Sequence, residues 1–267
     1  MLIDRGIHVP IEVAPTGIDR ALYSSGVKAR GRENFGLRAS DEVVGHLGRL
    51  SSEKNLSFLV ESMLRLMKAR PAVKFLLVGE GDRLDWAKAQ FAEASMSHRL
   101  VSPGLLAGQA IADAYAVMDI FAFTSKTDTQ GLVLAEAMAA GVPIVALDAP
   151  GARDCVADQI AGLLLPSNVS ETEFAHVIEL LLKDNARRQT LSHGALEASR
   201  RFSLPQCVKR LQAIYERASA VYRQDDKKDI DPDLSSDHSD VEWSPFWEKI
   251  SSAFRTLSSR SNSDLIG

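Results

Sequence analysis

Cysteine is scarce in this 267-residue chain. Its two cysteines, Cys155 and Cys207, are too few for a disulfide framework and are typical of a reducing compartment. Long apolar runs are lacking as well, since the sequence has no stretch of about 18 apolar residues that could span a bilayer as a helix. The first residues, Met1 to Arg5, show no apolar core of a signal peptide. These absences favour a cytoplasmic protein.

Several catalytic signatures are also missing. The sequence contains no Gly-x-Ser-x-Gly elbow and no Walker lysine motif, which argues against a hydrolase of that kind and against a phosphate-loop enzyme. Its six histidines show no metal-ligand spacing, so we expect no metal cofactor, and His46 is interpreted as a core residue rather than a catalytic one. A net charge of −4 argues against a nucleic-acid partner. That charge is uneven, because residues 225–242 carry eight acids and two lysines.

What the sequence does contain is an alternation of short apolar runs and helix-forming segments. The runs predict strands at 43–47, 73–78, 120–123, 144–147 and 162–166, and the segments between and after them predict helices at 55–69, 83–94, 109–117, 171–183, 186–200 and 205–223. Alternating residues around Ile11 and Val13 predict a further short strand that ends at Pro15. The pattern predicts an α/β fold, a Rossmann-like parallel sheet with helices on both faces, followed by a helical C-terminal extension.

Residues 124–143 are central to this pattern, because they join two predicted strands through a loop and a helix. Asp128 falls in the loop and Glu136 in the helix, with seven residues between them. The helix begins near Gly131 at the carboxyl end of a strand, where free N–H groups and the helix dipole favour a phosphate. The residues alone leave Glu136 with two alternatives: a solvated residue on the outer face, or a ligand to hydroxyl groups.

Residues 48–55 mark the carboxyl end of the first predicted parallel strand. They place Arg49 and Lys54 five residues apart, near a helix start that we expect Ser51 or Ser52 to cap. An arginine can bind a phosphate through two parallel N–H bonds, and a lysine adds a second positive charge. The alternatives are a phosphate clamp and two solvated surface cations.

Residues 124–143 resemble the Glu-x7-Glu region of the retaining glycosyltransferases with the GT-B fold, in the family called GT4. In that family the loop and helix read roughly Ser-x-x-Glu-x-Phe-Gly-Leu-x-x-x-Glu-Ala-Met-Ala-x-Gly-x-Pro. This chain matches the pattern at nine positions: Ser125, Gly131, Leu132, Glu136, Ala137, Met138, Ala139, Gly141 and Pro143. It departs from it at Asp128, where the family usually has the first Glu, and at Gln130, where it often has Phe.

The resemblance implies roles for particular residues. Residues 48–55 are similar to the family's Gly-Arg-x-x-x-x-Lys-Asn, in which the arginine and the lysine contact the donor diphosphate. Catalytic roles are implied for Arg49, Lys54 and Asp128, of which Asp128 would hold hydroxyls of the donor sugar. Donor-binding roles are implied for Gly48, Gly79, Ser125, Gly131, Leu132, Val133 and Glu136. In this assignment Glu136 accepts hydrogen bonds from ribose hydroxyls.

The function that the resemblance implies is transfer of a hexosyl group from a nucleoside diphosphate sugar, usually UDP-linked, with retention at the anomeric carbon and no essential metal. The sequence Thr129-Gln130-Gly131 also resembles the branch of the family that glucosylates diacylglycerol, which suggests a glycolipid acceptor. The alternative is a non-catalytic nucleotide-sugar-binding subunit, or an inactive remnant, that lacks the acceptor domain.

The expected domain organisation follows from the same resemblance, which covers residues up to about Arg223. Residues 1–40 would be an interdomain connection with a remnant of an absent N-terminal half, and residues 41–223 the nucleotide-sugar-binding domain. An acidic linker at 224–242 and an amphipathic tail at 243–267 would follow. The tail has two possible partners, the inner membrane surface through a helix at 243–258 or a separate N-terminal half.

Overall fold

The computed structural model describes residues 11–225, with side chains to residue 220. The chain divides into two units, residues 1–214 and residues 215–267. Residues 1–10 of the predicted connection and remnant at 1–40 lie outside the described residues, as do most of the predicted acidic linker and the whole amphipathic tail.

Six parallel strands form one sheet, which confirms the predicted Rossmann-like architecture. The strands are β1 (Glu42–Leu47), β2 (Val73–Val78), β3 (Leu100–Gly104), β4 (Ile120–Phe123), β5 (Ile144–Asp148) and β6 (Gly162–Pro166). Their order across the sheet is β3-β2-β1-β4-β5-β6. The central strands are apolar on both faces, as expected for a sheet covered by helices on both sides.

Helices cover both faces of this sheet. They are α1 (Arg20–Ser24), α2 (Lys28–Asn34), α3 (Leu56–Ala69), α4 (Leu84–Glu93), α5 (Gln109–Val117), α6 (Leu132–Ala139), α7 (Ala152–Cys155), α8 (Glu171–Lys183), α9 (Asn185–Ala198) and α10 (Leu204–Asp225). Apolar residues of α3, α4 and α8 form the core on one face, and those of α5, α6 and α7 form the core on the other. Among the described residues, no helix combines the length and apolar content needed to cross a bilayer.

The strand order fixes where a ligand can bind. Strand β1 pairs with β2 on one side and with β4 on the other, so the chain reverses its direction of winding between β1 and β4. In an open parallel sheet the crevice at such a switch point, outside the carboxyl ends of the strands, is the usual ligand site. The loops that follow β1 and β4 are the segments in which Arg49, Lys54 and Asp128 were predicted to act.

The strand predicted around Ile11 and Val13 is wrong. Residues 11–17 form no strand within the described part of the chain, and the two apolar side chains are exposed, Val13 by 70%. Two short helices, α1 and α2, follow and were not predicted. Asp19 caps α1 by accepting a hydrogen bond from the Leu22 backbone N–H at 3.1 Å, so an N-cap signal was present in the sequence.

The helix cap predicted at Ser51 or Ser52 is also wrong. The chain forms a 3₁₀ turn at Ser52–Lys54 and then reaches α3 through Asn55, whose φ of 57° lies in the left-handed region. Among the described residues neither serine side chain caps the helix, and the Ser51 hydroxyl is buried without a partner. The Asn55 side-chain amide instead donates to the carbonyl of Thr124 at 3.2 Å, which fixes this turn against the loop after β4.

Candidate functional site

A cavity of about 450 Å³ lies at the carboxyl ends of β1 and β4. Seven of the ten predicted site residues line it: Gly48, Arg49, Lys54, Asp128, Gly131, Leu132 and Val133. They come from the loop after β1 and from the segment after β4 that ends in the first turn of α6, more than 70 positions further along the sequence. The parallel pairing of β1 with β4 brings the two segments together. The cavity therefore lies at the switch point of the sheet, where the fold leads us to expect a ligand.

Two basic residues of this cavity differ in how firmly they are held. Lys54 Nζ lies 2.9 Å from Asp128 Oδ1, and the two side chains are only 23% and 20% exposed. Arg49 is 73% exposed and 3.8 Å from Glu53, a loose surface pair. Lys54 thus has a fixed position, whereas Arg49 can reorient its guanidinium toward an anion in the cavity.

The amino end of α6 forms another part of the cavity wall. Gly131 precedes the helix with φ of 60°, a left-handed conformation that favours glycine, and no side chain of the described residues caps the helix there. The backbone N–H groups of the first turn, at Leu132 and Val133, are the kind of donors that an α-helix leaves without internal partners. The cavity thus joins two positively charged side chains to a helix N-terminus, an arrangement suited to a phosphate group.

Glu136 lies one turn further along α6 and does not line the cavity. It is partly buried, and the Tyr115 hydroxyl donates to its Oε2 at 2.7 Å. Burial raises the pKa of Glu136, although hydrogen bonds from Tyr115 and Tyr23 oppose the rise. Burial and the nearby charge of Glu136 in turn raise the pKa of Tyr115. This environment argues against the solvated alternative for Glu136, and its role toward ribose stays a prediction.

The raised pKa of Glu136 predicts a pH-dependent cost in stability. The folded state holds this proton more tightly than the unfolded state, so its stabilising contribution is complete below the unfolded pKa and is lost as the pH rises through the folded pKa. Glu136→Gln is therefore expected to raise the melting temperature at pH 8 by roughly 2–4 °C, a gain that disappears near pH 4. Thermal unfolding at both pH values measures this, with Glu93→Gln at an exposed position as control. An equal gain at both pH values would contradict the linkage.

Gly79 and Ser125 are predicted site residues that do not line the cavity. A Cβ atom built on Gly79 would lie 2.0 Å from the Gly48 carbonyl oxygen, so Gly79 allows the ends of β1 and β2 to approach each other. Ser125 is fully buried, and its hydroxyl accepts a long, 3.5 Å bond from the Thr127 N–H inside the loop. Both residues shape the segments that carry the cavity wall.

Sequence reasoning missed several residues of the cavity. His46, Gln130 and Thr16 line it, and the Gln130 side-chain oxygen accepts a hydrogen bond from the Thr16 N–H at 3.1 Å. This bond ties residues 11–17 to the loop after β4. His46 is 2% exposed, which confirms that it is buried, yet it also lines the cavity. In the sequence, His46 lies only two residues before Gly48, a predicted donor-binding residue, and this closeness could have identified it as a cavity residue.

Across residues 11–225, no three side chains among His, Cys, Asp and Glu are grouped so that they could hold a metal ion. The expectation of metal-independent chemistry therefore stays a prediction.

The sequence of this chain is similar to those of known glycosyltransferases. Residues 27–197 match the family model described as glycosyl transferases group 1. The chain is 34% identical over 218 residues to D-inositol 3-phosphate glycosyltransferase of Mycobacteroides abscessus, across 80% of this chain and 48% of that protein. It is 27% identical over 206 residues to alpha-monoglucosyldiacylglycerol synthase of Streptococcus pneumoniae, across 74% of this chain and 46% of that protein.

The fold of this chain is also similar to that of a solved structure. HepE of Anabaena, crystallised in complex with UDP-glucose, superposes with a TM-score of 0.67 at 29% identity, over 76% of this chain and 56% of that one. The chain spans about half the length of the curated relatives it matches. The matched segment contains all ten predicted site residues, and the six-stranded parallel sheet is that of one half of the GT-B fold. The chain therefore belongs to the group 1 glycosyl transferases, the family called GT4.

Proposed function

We propose that the chain binds a UDP-linked sugar in the cavity between β1 and β4 and supplies the donor-binding half of a retaining hexosyltransferase. The observation that carries this proposal is the convergence of Arg49, Lys54 and the amino end of α6 on one cavity, with Asp128 beside them. Cations and free N–H groups suit a diphosphate, and a carboxylate suits sugar hydroxyls. The UDP-glucose complex of HepE supports the choice of nucleotide.

In the transfer, the diphosphate leaves as negative charge builds on it. Lys54 and Arg49 stabilise that charge, and the N–H groups of Leu132 and Val133 assist from the helix end. Asp128 uses one carboxylate oxygen to hold Lys54, since Oδ1 accepts that bond at 2.9 Å. Its Oδ2 has no partner among the described residues and accepts from a hydroxyl of the sugar. The carboxylate thus couples the position of the sugar to that of the lysine.

Glu136 completes the donor site as the acceptor for ribose hydroxyls. A carboxylate offers about four lone-pair directions, so the bonds from Tyr115 and Tyr23 leave capacity for a ligand. These two tyrosines hold the carboxylate in one orientation. They are therefore positioning residues for the ribose contact.

The acceptor substrate, which would receive the sugar, is proposed to be a glycolipid. A glycolipid acceptor is supported by the name of the Streptococcus pneumoniae relative and by Thr129-Gln130-Gly131. Such an acceptor would place the protein at the inner membrane surface, and an N-terminal half would supply its binding site. The alternative function is a nucleotide-sugar-binding subunit without activity of its own, which would use the same cavity.

Calorimetric titration with UDP tests the donor site. Wild type is expected to bind in the millimolar to micromolar range, about −4 to −8 kcal/mol. Arg49→Ala and Glu136→Ala should each weaken binding by about fivefold or more, because each removes a ligand contact involving a charged group. Arg65→Ala on α3, whose guanidinium pairs with Glu61 at 2.8 Å, is the matched control. A folded chain that binds neither UDP nor GDP nor ADP would overturn the assignment.

A further inference from the structure

Two residues that line the cavity each have a buried hydrogen-bond acceptor without a partner. His46 Nε2 and Asp128 Oδ2 each lack a hydrogen bond to any described residue, and both residues line the cavity. Buried polar atoms are hydrogen-bonded in the great majority of cases, so an unpartnered pair in one cavity calls for an explanation. A role for Asp128 is already part of the proposed function, whereas His46 has none.

The hydrogen bond on the other side of the imidazole fixes the chemistry of Nε2. His46 Nδ1 lies 3.0 Å from the carbonyl oxygen of Ala122, which can only accept, so Nδ1 carries the hydrogen. Burial lowers the pKa of His46, and the charge of Lys54 lowers it further, against the Ala122 bond and Asp128. The ring is therefore neutral near pH 7. In the neutral ring with a protonated Nδ1, Nε2 is an acceptor and not a donor.

The position of Nε2 is well defined. The imidazole packs beside two phenylalanine rings, and its centroid lies 6.1 Å from that of Phe121 and 6.4 Å from that of Phe123. The His46 residue is 2% exposed. A Cβ atom built on Gly48 would have Nε2 as its nearest neighbour, at 3.9 Å. The space over the Gly48 α-carbon is thus open to a ligand and bounded by Nε2.

These observations identify the kind of group that His46 can bind. A phosphate oxygen is itself an acceptor, so it cannot satisfy a neutral Nε2, whereas a hydroxyl group can donate to it. We propose that His46 is a specificity residue whose Nε2 accepts a hydrogen bond from a hydroxyl of the donor hexose, beside the hydroxyl that Asp128 holds. This inference rests on the proposed function. It implies that the cavity selects the sugar through two acceptors, one neutral and one charged.

A matched pair of substitutions distinguishes the contribution of Nδ1 to binding from that of Nε2. The amide of His46→Asn can still donate to Ala122 but leaves nothing at the Nε2 position, whereas His46→Gln places an amide oxygen near that position. We expect His46→Asn to weaken UDP-glucose binding about tenfold while UDP binding changes less than about twofold, and His46→Gln to recover most of the loss. The difference between UDP-glucose and UDP is the readout, because a merely structural role would weaken both.

Two further measurements test whether His46 Nε2 binds a sugar hydroxyl. In wild type, the ¹⁵N resonance of His46 Nε2 should shift on adding UDP-glucose and not on adding UDP, which needs no variant to fold. Among UDP-glucose analogues that each lack one hydroxyl, one analogue should bind wild type and His46→Asn equally. Equal weakening of UDP and UDP-glucose by His46→Asn, or no effect on either, overturns this inference alone. Failure of wild type to bind UDP overturns the proposed function as well.

Discussion

Lys54→Ala is expected to weaken UDP binding by about 10- to 100-fold, one of the two largest effects that the structure predicts. The substitution removes a positive charge that Asp128 holds in place 2.9 Å away. It also leaves the Asp128 carboxylate partly buried without its counter-charge, where it would repel the diphosphate. Isothermal titration calorimetry of the purified chain measures the change in dissociation constant.

Two comparisons show whether the loss arises at this pair. Lys68→Ala, on an exposed position near the end of α3, removes the same charge away from the cavity and should leave UDP binding within about twofold. Lys54→Ala combined with Asp128→Asn should bind UDP better than Lys54→Ala alone, because the repulsion is gone. If the double variant binds no better, the interaction between the two side chains does not control the phosphate site.

The fold was largely predictable because its signals are local. Strands β1, β2, β4, β5 and β6 are short apolar runs between helix-forming segments, and a parallel sheet buries such runs on both faces. The wrong strand prediction lies before residue 41, where the sequence pattern was ambiguous. Alternation around Ile11 indicated a strand, but those residues have no neighbouring strand to pair with in the described part of the chain. A strand without a partner leaves its backbone hydrogen bonds unmade.

The candidate site was predictable to the extent that its residues follow strands directly. Arg49, Lys54 and Asp128 come just after β1 and β4, and adjacent parallel strands bring their carboxyl ends together. His46 was placed in the core because an apolar run surrounds it. The contact of Tyr115 with Glu136, 21 positions away, depends on how α5 packs against α6, which no local pattern encodes. Residues that act through such packing can be identified only from the structure.

Gly79 shows the same limit and carries the other large prediction. The family resemblance implied a donor-binding role for it, which stays a prediction, and the structure adds that Gly79 lies at a close approach between strand ends. Its φ is 131°, its N–H donates to the Gly104 carbonyl at 2.9 Å, and a Cβ atom would lie 2.0 Å from the Gly48 carbonyl oxygen. Gly79→Ala must therefore displace the backbone at Gly48. We expect a loss of about 3 kcal/mol in the free energy of unfolding, from the clash added to the backbone strain.

Gly36→Ala separates those two causes, because Gly36 also has a positive φ, 63°, but a Cβ atom there would have no neighbour within 4 Å. The control should lose only about 1 kcal/mol, the cost of a left-handed conformation in alanine. Urea unfolding of the wild type and both variants compares them directly. Since displacement of Gly48 moves the cavity wall beside Arg49, Gly79→Ala should also weaken UDP binding under conditions where it remains folded. Equal losses in the two variants would mean that the loop after β1 yields to the added methyl group, so that Gly79 is needed for its backbone conformation and not for the approach of the strands.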